Sequence, residues 1–136
     1  MKVLNLIIKQ QYFDEIAAGI KTQEFREVKP TTVKKLIQLD EDGYEIEDEN
    51  ANAIPIQYDA LRLYVGYNKD RDEMLIEVKD AHTEVFVNEK GEPITYTHGT
   101  DPKTGEPLEW VAEQVVYDLG KILEIKRNKK SKNLLN

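Results

Sequence analysis

The sequence predicts an α+β domain built on a small, partly open β-barrel with one or two short helices. The chain has 136 residues, a length that suits one domain with a single modest core. About six apolar or alternating segments have the length of strands and are separated by turn residues. Only one segment has firm helical periodicity. Strands in this number, joined by short turns, usually close into a barrel or fold into a sandwich.

The first thirty residues give the clearest pattern. A nearly continuous apolar run over residues 2–9 predicts the first strand. Apolar residues then follow at helical spacing, at Phe13, Ile16, Ala17 and Ile20. Gly19 predicts the end of this helix, because glycine enters the left-handed conformation at little cost.

The segment after the helix alternates in character as a strand does. Residues 22–28 are predicted to be extended, with Glu24 and Arg26 on the same face. Pro30 ends this strand. Residues 31–39 fit either a short helix or a strand, and their periodicity does not decide between the two.

The second half of the chain consists of strands and turns. Residues 60–67 and 74–87 predict an antiparallel pair joined by a charged turn. Residues 101–107 are rich in Pro and Gly and indicate the tip of a hairpin. The last extended segments are predicted over 111–117 and 119–126.

Seven acidic residues lie between Asp40 and Glu49, around an Asp42-Gly43 turn dipeptide. This composition indicates a solvated loop or a protruding hairpin. The spacing of its acids does not match a calcium-binding EF-hand loop. No internal repeat is evident in the sequence.

The net charge of −7 is unevenly distributed. Residues 121–136 contain six basic residues and one acidic residue, so they carry +5, whereas the other 120 residues carry −12. Residues 127–136 are therefore predicted to form a basic, flexible tail after a domain over 1–126. A uniformly basic surface for long duplex DNA is excluded, although a local basic groove or tail is not.

The residue inventory excludes several chemistries. The chain has no cysteine, and Ser131 is its only serine, so serine and cysteine nucleophile mechanisms are ruled out. His82 and His98 are far apart in sequence and do not have zinc-ligand spacing. No phosphate-binding glycine motif is present. We therefore expect no cofactor and no metal. The chain also lacks an apolar run of about 18 residues and a secretory cleavage site, which predicts a cytoplasmic protein without membrane association.

Lys21 is the best local candidate for a functional group. It follows the helix stop directly and precedes the strand that carries Glu24 and Arg26. This arrangement can present an amine as a base or nucleophile, and it can bind a polar heterocycle through directed hydrogen bonds. Alternatively, Lys21 solvates a turn, while Glu24 and Arg26 form a weak ion pair.

Aromatic side chains matter for binding of nucleobases, because bases stack on them. The candidates are Tyr12, Tyr64, Tyr67 and Trp110. The bland alternative, which the sequence favours for each ring, is that it fills the core or packs at the mouth of the barrel.

The motif Gly-x-Lys-x-x-Glu-x-Arg, at Gly19, Lys21, Glu24 and Arg26 and preceded by the run YFDEIAA, resembles the signature of the ASCH domain family. This family belongs to the PUA-like superfamily. Two later segments, 58–67 and 115–125, also resemble its bacterial and phage members. The resemblance covers most of the chain except the acidic segment, the hairpin region and the tail.

The resemblance implies a PUA-like barrel with a ligand cleft beside the helix and the Lys-Glu-Arg strand. Because the family is proposed to bind RNA or nucleotides, it also implies that this chain binds RNA or a modified nucleoside or nucleotide. The ligand-binding residues that it implies, with the candidate aromatic residues added, are Lys21, Thr22, Glu24, Arg26, Tyr12, Tyr64 and Tyr67.

Two alternatives remain open. One branch of the family hydrolyses N4-acetylcytidine with a lysine, a threonine and a glutamate, which implies an amidohydrolase with Lys21 and Glu24 as catalytic residues. Lys21 matches the lysine of that branch, but Glu24 stands at the position of its threonine. In the second alternative the protein is a protein-interaction module whose contact surface is the acidic segment.

Overall fold

The computed structural model describes residues 1–128, and it confirms the predicted α+β class. The elements of this part of the chain are β1 (Val3–Ile8), α1 (Gln10–Ala17), β2 (Gln23–Val28), α2 (Val33–Leu36), β3 (Ala60–Val65), β4 (Glu73–Val85), β5 (Thr95–Thr100), β6 (Pro107–Val111) and β7 (Glu113–Lys126). None of the helices in residues 1–128 has the length and hydrophobicity that a membrane span needs.

The residues divide into two compact units. Unit 1 comprises Met1–Glu24, Gln57–Ala81 and the described residues from Tyr117 to Asn128. Unit 2 comprises Phe25–Ile56 and His82–Val116.

The main sheet has five strands in the order β1-β3-β4-β7-β2, and it is not closed. Within unit 1, β1 and β3 run parallel, with Val3 opposite Ala60. Strands β3 and β4 are antiparallel, with Leu63 opposite Met74. The structure therefore confirms the antiparallel pair that the alternation predicted.

The core of unit 1 is apolar and follows the predicted periodicities. Alternate residues of β1 are buried, and Phe13 and Ile16 of α1 are buried as well. Gly19 has a φ of +76°, in the left-handed region, and the helix has ended before it. Ile20, which continued the helical spacing in the sequence, lies beyond the helix end and is 75 % exposed. The glycine stop therefore overrides the periodicity at Ile20.

A buried carboxylate anchors the C-terminal end of the described chain. Asp72 is only 1 % exposed and accepts hydrogen bonds from Gln10 Nε2 at 2.9 Å, from Arg127 Nη1 at 3.1 Å and from the backbone N–H of Asn128 at 2.6 Å. Arg127 and Asn128 are thus held against unit 1. The remainder of the predicted basic tail lies outside the residues that the structure describes.

Unit 2 contains a structural repeat that was not evident in the sequence. Three loops, over residues 38–46, 46–54 and 86–94, each place an Asp or Asn at the third position. In each loop the side-chain oxygen of this residue accepts two backbone N–H groups at 2.9 and 3.0 Å, and the capping residues are Asp40, Asp48 and Asn88. The residue three positions after the cap has a positive φ in every case, at Gly43, Ala51 and Gly91.

The ends of these loops are closed by rings of backbone hydrogen bonds. Ile46 donates to Gln38, Ile54 donates to Ile46, and Gln38 donates to Ile54, each at 2.9 Å. A second ring joins Phe86, Ile94 and Ala112, with distances of 2.8–2.9 Å. The acidic segment is therefore part of two capped loops with ordered backbones.

The remaining part of unit 2 is the β5–β6 hairpin. Its strands are antiparallel, with Tyr96 opposite Trp110, and its tip falls where the sequence predicted it. The indole Nε1 of Trp110 donates to the backbone oxygen of His98 at 3.0 Å. Beyond the hairpin, β7 runs from Glu113 to Lys126 as one strand, although the sequence predicted two segments there.

Candidate functional site

Unit 1 has a cavity of about 420 Å³ next to the end of α1. Its polar lining residues include Lys21, Thr22 and Lys121. Its apolar lining consists of residues from α1, β4 and β7, namely Ile16, Ala17, Ile76, Leu119 and Ile122. The cavity therefore combines two basic side chains with an apolar wall.

The local fold explains how Lys21 reaches this cavity. The left-handed Gly19 turns the chain, and the N–H groups of Ile20 and Lys21 both donate to the backbone oxygen of Glu15, at 2.9 and 3.1 Å. This arrangement caps the C-terminal end of α1 and sets the direction of β2. The Lys21 Nζ lies 5.5 Å from the centre of the Tyr12 ring, a distance at which the cation and the aromatic face attract.

The opposite wall of the cavity includes Gly120 of β7. A Cβ atom at this position would collide with the Oε1 atom of Glu77 and would lie 3.0 Å from the Cγ atom of Lys79. The glycine therefore permits the side chains of β4 to lie against β7 at this point.

The other two residues of the sequence motif lie elsewhere. Glu24 belongs to unit 1 and is 6 % exposed, whereas Arg26 belongs to unit 2 and is half-buried. Neither residue is among those that line the Lys21 cavity. Phe25, between them, is 42 % exposed, so the predicted alternation of faces holds along β2. Of the motif, the structure brings only Gly19 and Lys21 to this cavity.

None of the four aromatic candidates, Tyr12, Tyr64, Tyr67 and Trp110, is among the residues that line the Lys21 cavity. The ring of Tyr64 is covered by the guanidinium of Arg71, which lies 3.9 Å from the ring centre. Arg71 is held there by a 3.0 Å hydrogen bond to the backbone oxygen of Gly66. Tyr67 is 85 % exposed. Of the three candidate tyrosines, only Tyr12 lies beside Lys21.

Unit 2 has a second cavity, of about 580 Å³, which the sequence analysis did not predict. Its lining residues are partly apolar, including Val33, Val85, Leu108, Trp110 and Val111, and partly acidic, including Asp42, Glu45, Glu47, Asp101, Glu109 and Glu113. The acids come from the capped loops, from β6 and the hairpin tip, and from the start of β7.

Glu113 is the chemically distinctive residue of this cavity. It is only 4 % exposed. Burial, a hydrogen bond that the protonated Glu113 carboxyl donates to the carboxylate of Glu45, and the nearby charges of Glu45 and Glu47 raise the pKa of Glu113 to about 8. At neutral pH Glu113 is therefore mainly protonated and shares hydrogen bonding with Glu45. The sequence contained a signal for the burial of Glu113, because this residue falls at an inward position of β7, on the same face as buried apolar residues of that strand.

Tyr96 reports the same acidic environment. Burial raises the pKa of its hydroxyl, and the charges of Glu27, Glu113 and Glu45 raise it further. The charge of Glu45 thus acts on both Tyr96 and Glu113.

Comparison of this chain with protein-family models, with curated proteins and with solved structures found no match.

Proposed function

We propose that the protein binds RNA or a modified nucleoside or nucleotide in the Lys21 cavity, as an ASCH domain on a partly open PUA-like barrel. The observation that carries the proposal is the convergence of Lys21 and Lys121 on one cavity whose walls are otherwise mainly apolar. The open five-stranded sheet is compatible with such a barrel.

The two halves of a nucleotide match the two kinds of lining. A base is flat and mainly apolar at its faces, so it packs against Ile16, Ile76 and Leu119. A phosphate is anionic, so it is attracted by the two lysine ammonium groups. The volume of about 420 Å³ falls in the range of small-molecule sites.

Tyr12 extends this site on its exposed side. Its ring is 40 % exposed and lies next to the Lys21 ammonium. A second base of a single strand can stack on the free part of this ring. The net charge of −7 disfavours a long duplex, so the expected ligand is a mononucleotide or a short single strand.

The geometry supports binding better than hydrolysis. A general acid–base must reach the bond that is broken, within hydrogen-bond distance or through one water molecule. Glu24, which the hydrolase alternative requires, is buried and is not among the residues that line the cavity with Lys21. Thr22 lines the cavity, but its side chain is no acid–base.

The test is a binding titration with cytidine monophosphate, N4-acetylcytidine and a labelled single-stranded RNA decamer. We expect Lys21→Ala and Lys121→Ala each to weaken binding of the monophosphate about tenfold, because each removes one charge-assisted contact. For RNA, each variant should also lower the salt slope of the affinity by about 1. Lys69→Ala is the matched control, since Lys69 is exposed and does not line the cavity.

If Lys21→Ala and Lys121→Ala both bind these ligands with the affinity of the wild type, this cavity is not the nucleotide-binding site. The same samples distinguish the hydrolase alternative. Release of acetate from N4-acetylcytidine, at a rate that Lys21→Ala abolishes, would replace binding by catalysis as the function.

A further inference from the structure

The second cavity contains a buried acceptor without a hydrogen-bond partner. Glu113 is only 4 % exposed, and it lines the cavity of unit 2. Its Oε1 atom has no hydrogen-bond partner among the residues that the structure describes. A buried polar atom in this state is unfavourable, because it has lost its hydrogen bonds to water without gaining others. An unpartnered acceptor of this kind indicates that a ligand in the cavity donates a hydrogen bond to it.

The charges around Glu113 favour a positive group. Glu45 interacts with it directly, and Glu47 adds a second negative charge. The other titratable or charged groups that line the cavity or share this environment are Glu27, Asp42, Tyr44, Tyr96, Asp101, Lys103 and Glu109. Lys103, at the hairpin tip, is the only basic residue in the lining and is exposed.

The apolar walls favour an organic cation over a metal ion. Val33, Leu108 and Trp110 contribute apolar surface to the same cavity. A hydrated divalent ion gains nothing from such walls, because it prefers a shell of oxygen ligands. An alkyl stem gains from burial against them, and an indole face also attracts a cation.

We propose that the cavity of unit 2 binds an organic cation, an alkylguanidinium or alkylammonium group. Its head donates hydrogen bonds to the carboxyl groups of Glu113 and Glu45, and its stem lies against Trp110. The cation is either a free amine or guanidine compound or the side chain of a lysine or arginine in a polypeptide. This site shares no residue with the Lys21 cavity and does not depend on the function proposed for it.

Binding is coupled to ionisation of Glu113. The cation favours the charged carboxylate, so the proton that Glu113 carries at neutral pH leaves when the cation binds. With a pKa of about 8 in the empty site, about 0.9 proton is released per cation at pH 7. Affinity is then about tenfold higher at pH 9 than at pH 7. This linkage needs no variant and is measured on the intact protein.

The chain supplies its own reporter, because Trp110 is its only tryptophan and lines the cavity. We expect n-butylguanidinium and n-butylammonium to change its fluorescence saturably, with the stated pH dependence. Calorimetry in buffers of different ionisation enthalpy counts the released protons. A blocked Gly-Arg-Gly peptide, titrated in parallel, distinguishes the sources. Binding as tight as that of n-butylguanidinium supports a polypeptide side chain, and clearly weaker binding supports a free small molecule.

Glu113→Gln keeps the shape of the side chain and removes its charge. We expect it to weaken binding of n-butylguanidinium at pH 9 at least about tenfold and to abolish the pH dependence between pH 7 and 9. Glu92→Gln is the matched control, because Glu92 is exposed in a capped loop and does not line the cavity. Circular dichroism checks that both variants are folded.

Three results would overturn the proposal. The first is the absence of a saturable fluorescence change with either cation in the folded wild-type protein. The second is equal affinity at pH 7 and pH 9. The third is a saturable change with calcium chloride that Glu113→Gln abolishes while the organic cations give none, which would make this an inorganic cation site.

Discussion

Asp72 of unit 1 and Glu113 of unit 2 are buried carboxyl groups with opposite surroundings. Asp72 of unit 1 is 1 % exposed and accepts three hydrogen bonds, one of them from the guanidinium of Arg127. Glu113 of unit 2 is 4 % exposed and lies among other acids, with one oxygen atom unpartnered in the described residues. Burial alone would raise the pKa of both. For Asp72, hydrogen bonds from Asn128, Gln10 and Arg127 and the charge of Arg127 outweigh burial, so its pKa is lowered.

The difference separates a structural acid from a candidate binding group. The desolvation of Asp72 is offset by its donors, so this carboxylate stabilises the native state. The desolvation of Glu113 is offset only by keeping a proton, and that proton can be exchanged for a cationic ligand. Burial of an acid is therefore uninformative until its partners are known.

The same contrast extends to the two units. Unit 1 contains most of the large buried apolar side chains, including Phe13, Leu61, Leu63, Met74 and Tyr117. Unit 2 has fewer of them and relies on capped loops and rings of backbone hydrogen bonds. We therefore expect loss of a side-chain network to be most harmful in unit 1, and backbone substitutions to matter in unit 2.

The largest effect should come from breaking the Asp72 network. Asp72→Ala leaves Gln10, Arg127 and the N–H of Asn128 without this acceptor. We expect the free energy of unfolding to fall by about 3–5 kcal/mol, the range for removing one partner of a buried ion pair. Urea titration at neutral pH measures it. Asp70→Ala is the control, because Asp70 is exposed, and it should change stability by less than about 0.5 kcal/mol.

The lowered pKa of Asp72 gives a second measurement. A carboxyl whose folded-state pKa is depressed stabilises the protein above its ordinary pKa of 3.8, and this stability is lost as the pH falls through the lower folded value. The wild-type protein should therefore lose stability below about pH 4 more steeply than Asp72→Ala does. Parallel acid limbs for the two proteins would contradict the role of Asp72.

The second-largest effect should come from the ionisation of Glu113, which makes the stability of the protein depend on pH. The folded-state pKa of Glu113 is about 8, whereas its ordinary value is 4.5. Between pH 4.5 and pH 8, Glu113 is therefore protonated in the native state and ionised in the unfolded state. Stability should fall as the pH rises through this window. Glu113→Gln cannot ionise, so we expect it to be more stable than the wild type by about 1–4 kcal/mol at pH 9 and nearly equal to it at pH 5.

Urea titrations at the two pH values provide this measurement. Glu92→Gln removes the same charge from an exposed position and should follow the wild type at both. If Glu113→Gln is less stable than the wild type at pH 9, the carboxylate has a stabilising partner and the contrast with Asp72 fails.

The smallest effect concerns the backbone of the capped loops. Ala51 has a φ of +62° at the position where the two related loops have Gly43 and Gly91. Because the left-handed conformation is unfavourable for alanine, we expect Ala51→Gly to stabilise the protein by about 0.5–1 kcal/mol. Gly43→Ala should have the opposite sign and similar size, since open space surrounds this glycine and only its backbone conformation opposes a side chain. Thermal unfolding compares the two variants, and a shift in the same direction for both would contradict the explanation.

Much of unit 1 could be predicted because its signals are local. Strand β1, helix α1 and its glycine stop depend on short-range periodicity and on one left-handed residue. The antiparallel β3–β4 pair follows from alternation on both sides of a charged turn. Ile20 shows the limit of periodicity, because the helix ended before its side chain could reach the core.

The candidate sites were predicted less well. Lys21 lines a cavity, but the second lysine of this cavity, Lys121, is a hundred residues away in sequence. Neither Glu113 nor Glu45 was singled out from the sequence, because nothing in their immediate sequence shows that their carboxyl groups interact. The loop repeat also escaped notice, since its loops share only a cap and a left-handed position.

The sequence by itself determined the α+β class, most strand positions, the turn before Lys21 and the exclusion of serine and cysteine nucleophiles. Tertiary structure alone decided which charges acquired partners. Hydrophobic periodicity is a property of neighbouring residues and can be read along the chain. The state of a buried carboxyl depends on groups brought to it from distant segments, as Arg127 is brought to Asp72 and Glu45 to Glu113. For this reason the Lys-x-x-Glu-x-Arg motif could be recognised in the sequence, whereas the pairing of Glu45 with Glu113 in unit 2 could be recognised only in the folded structure.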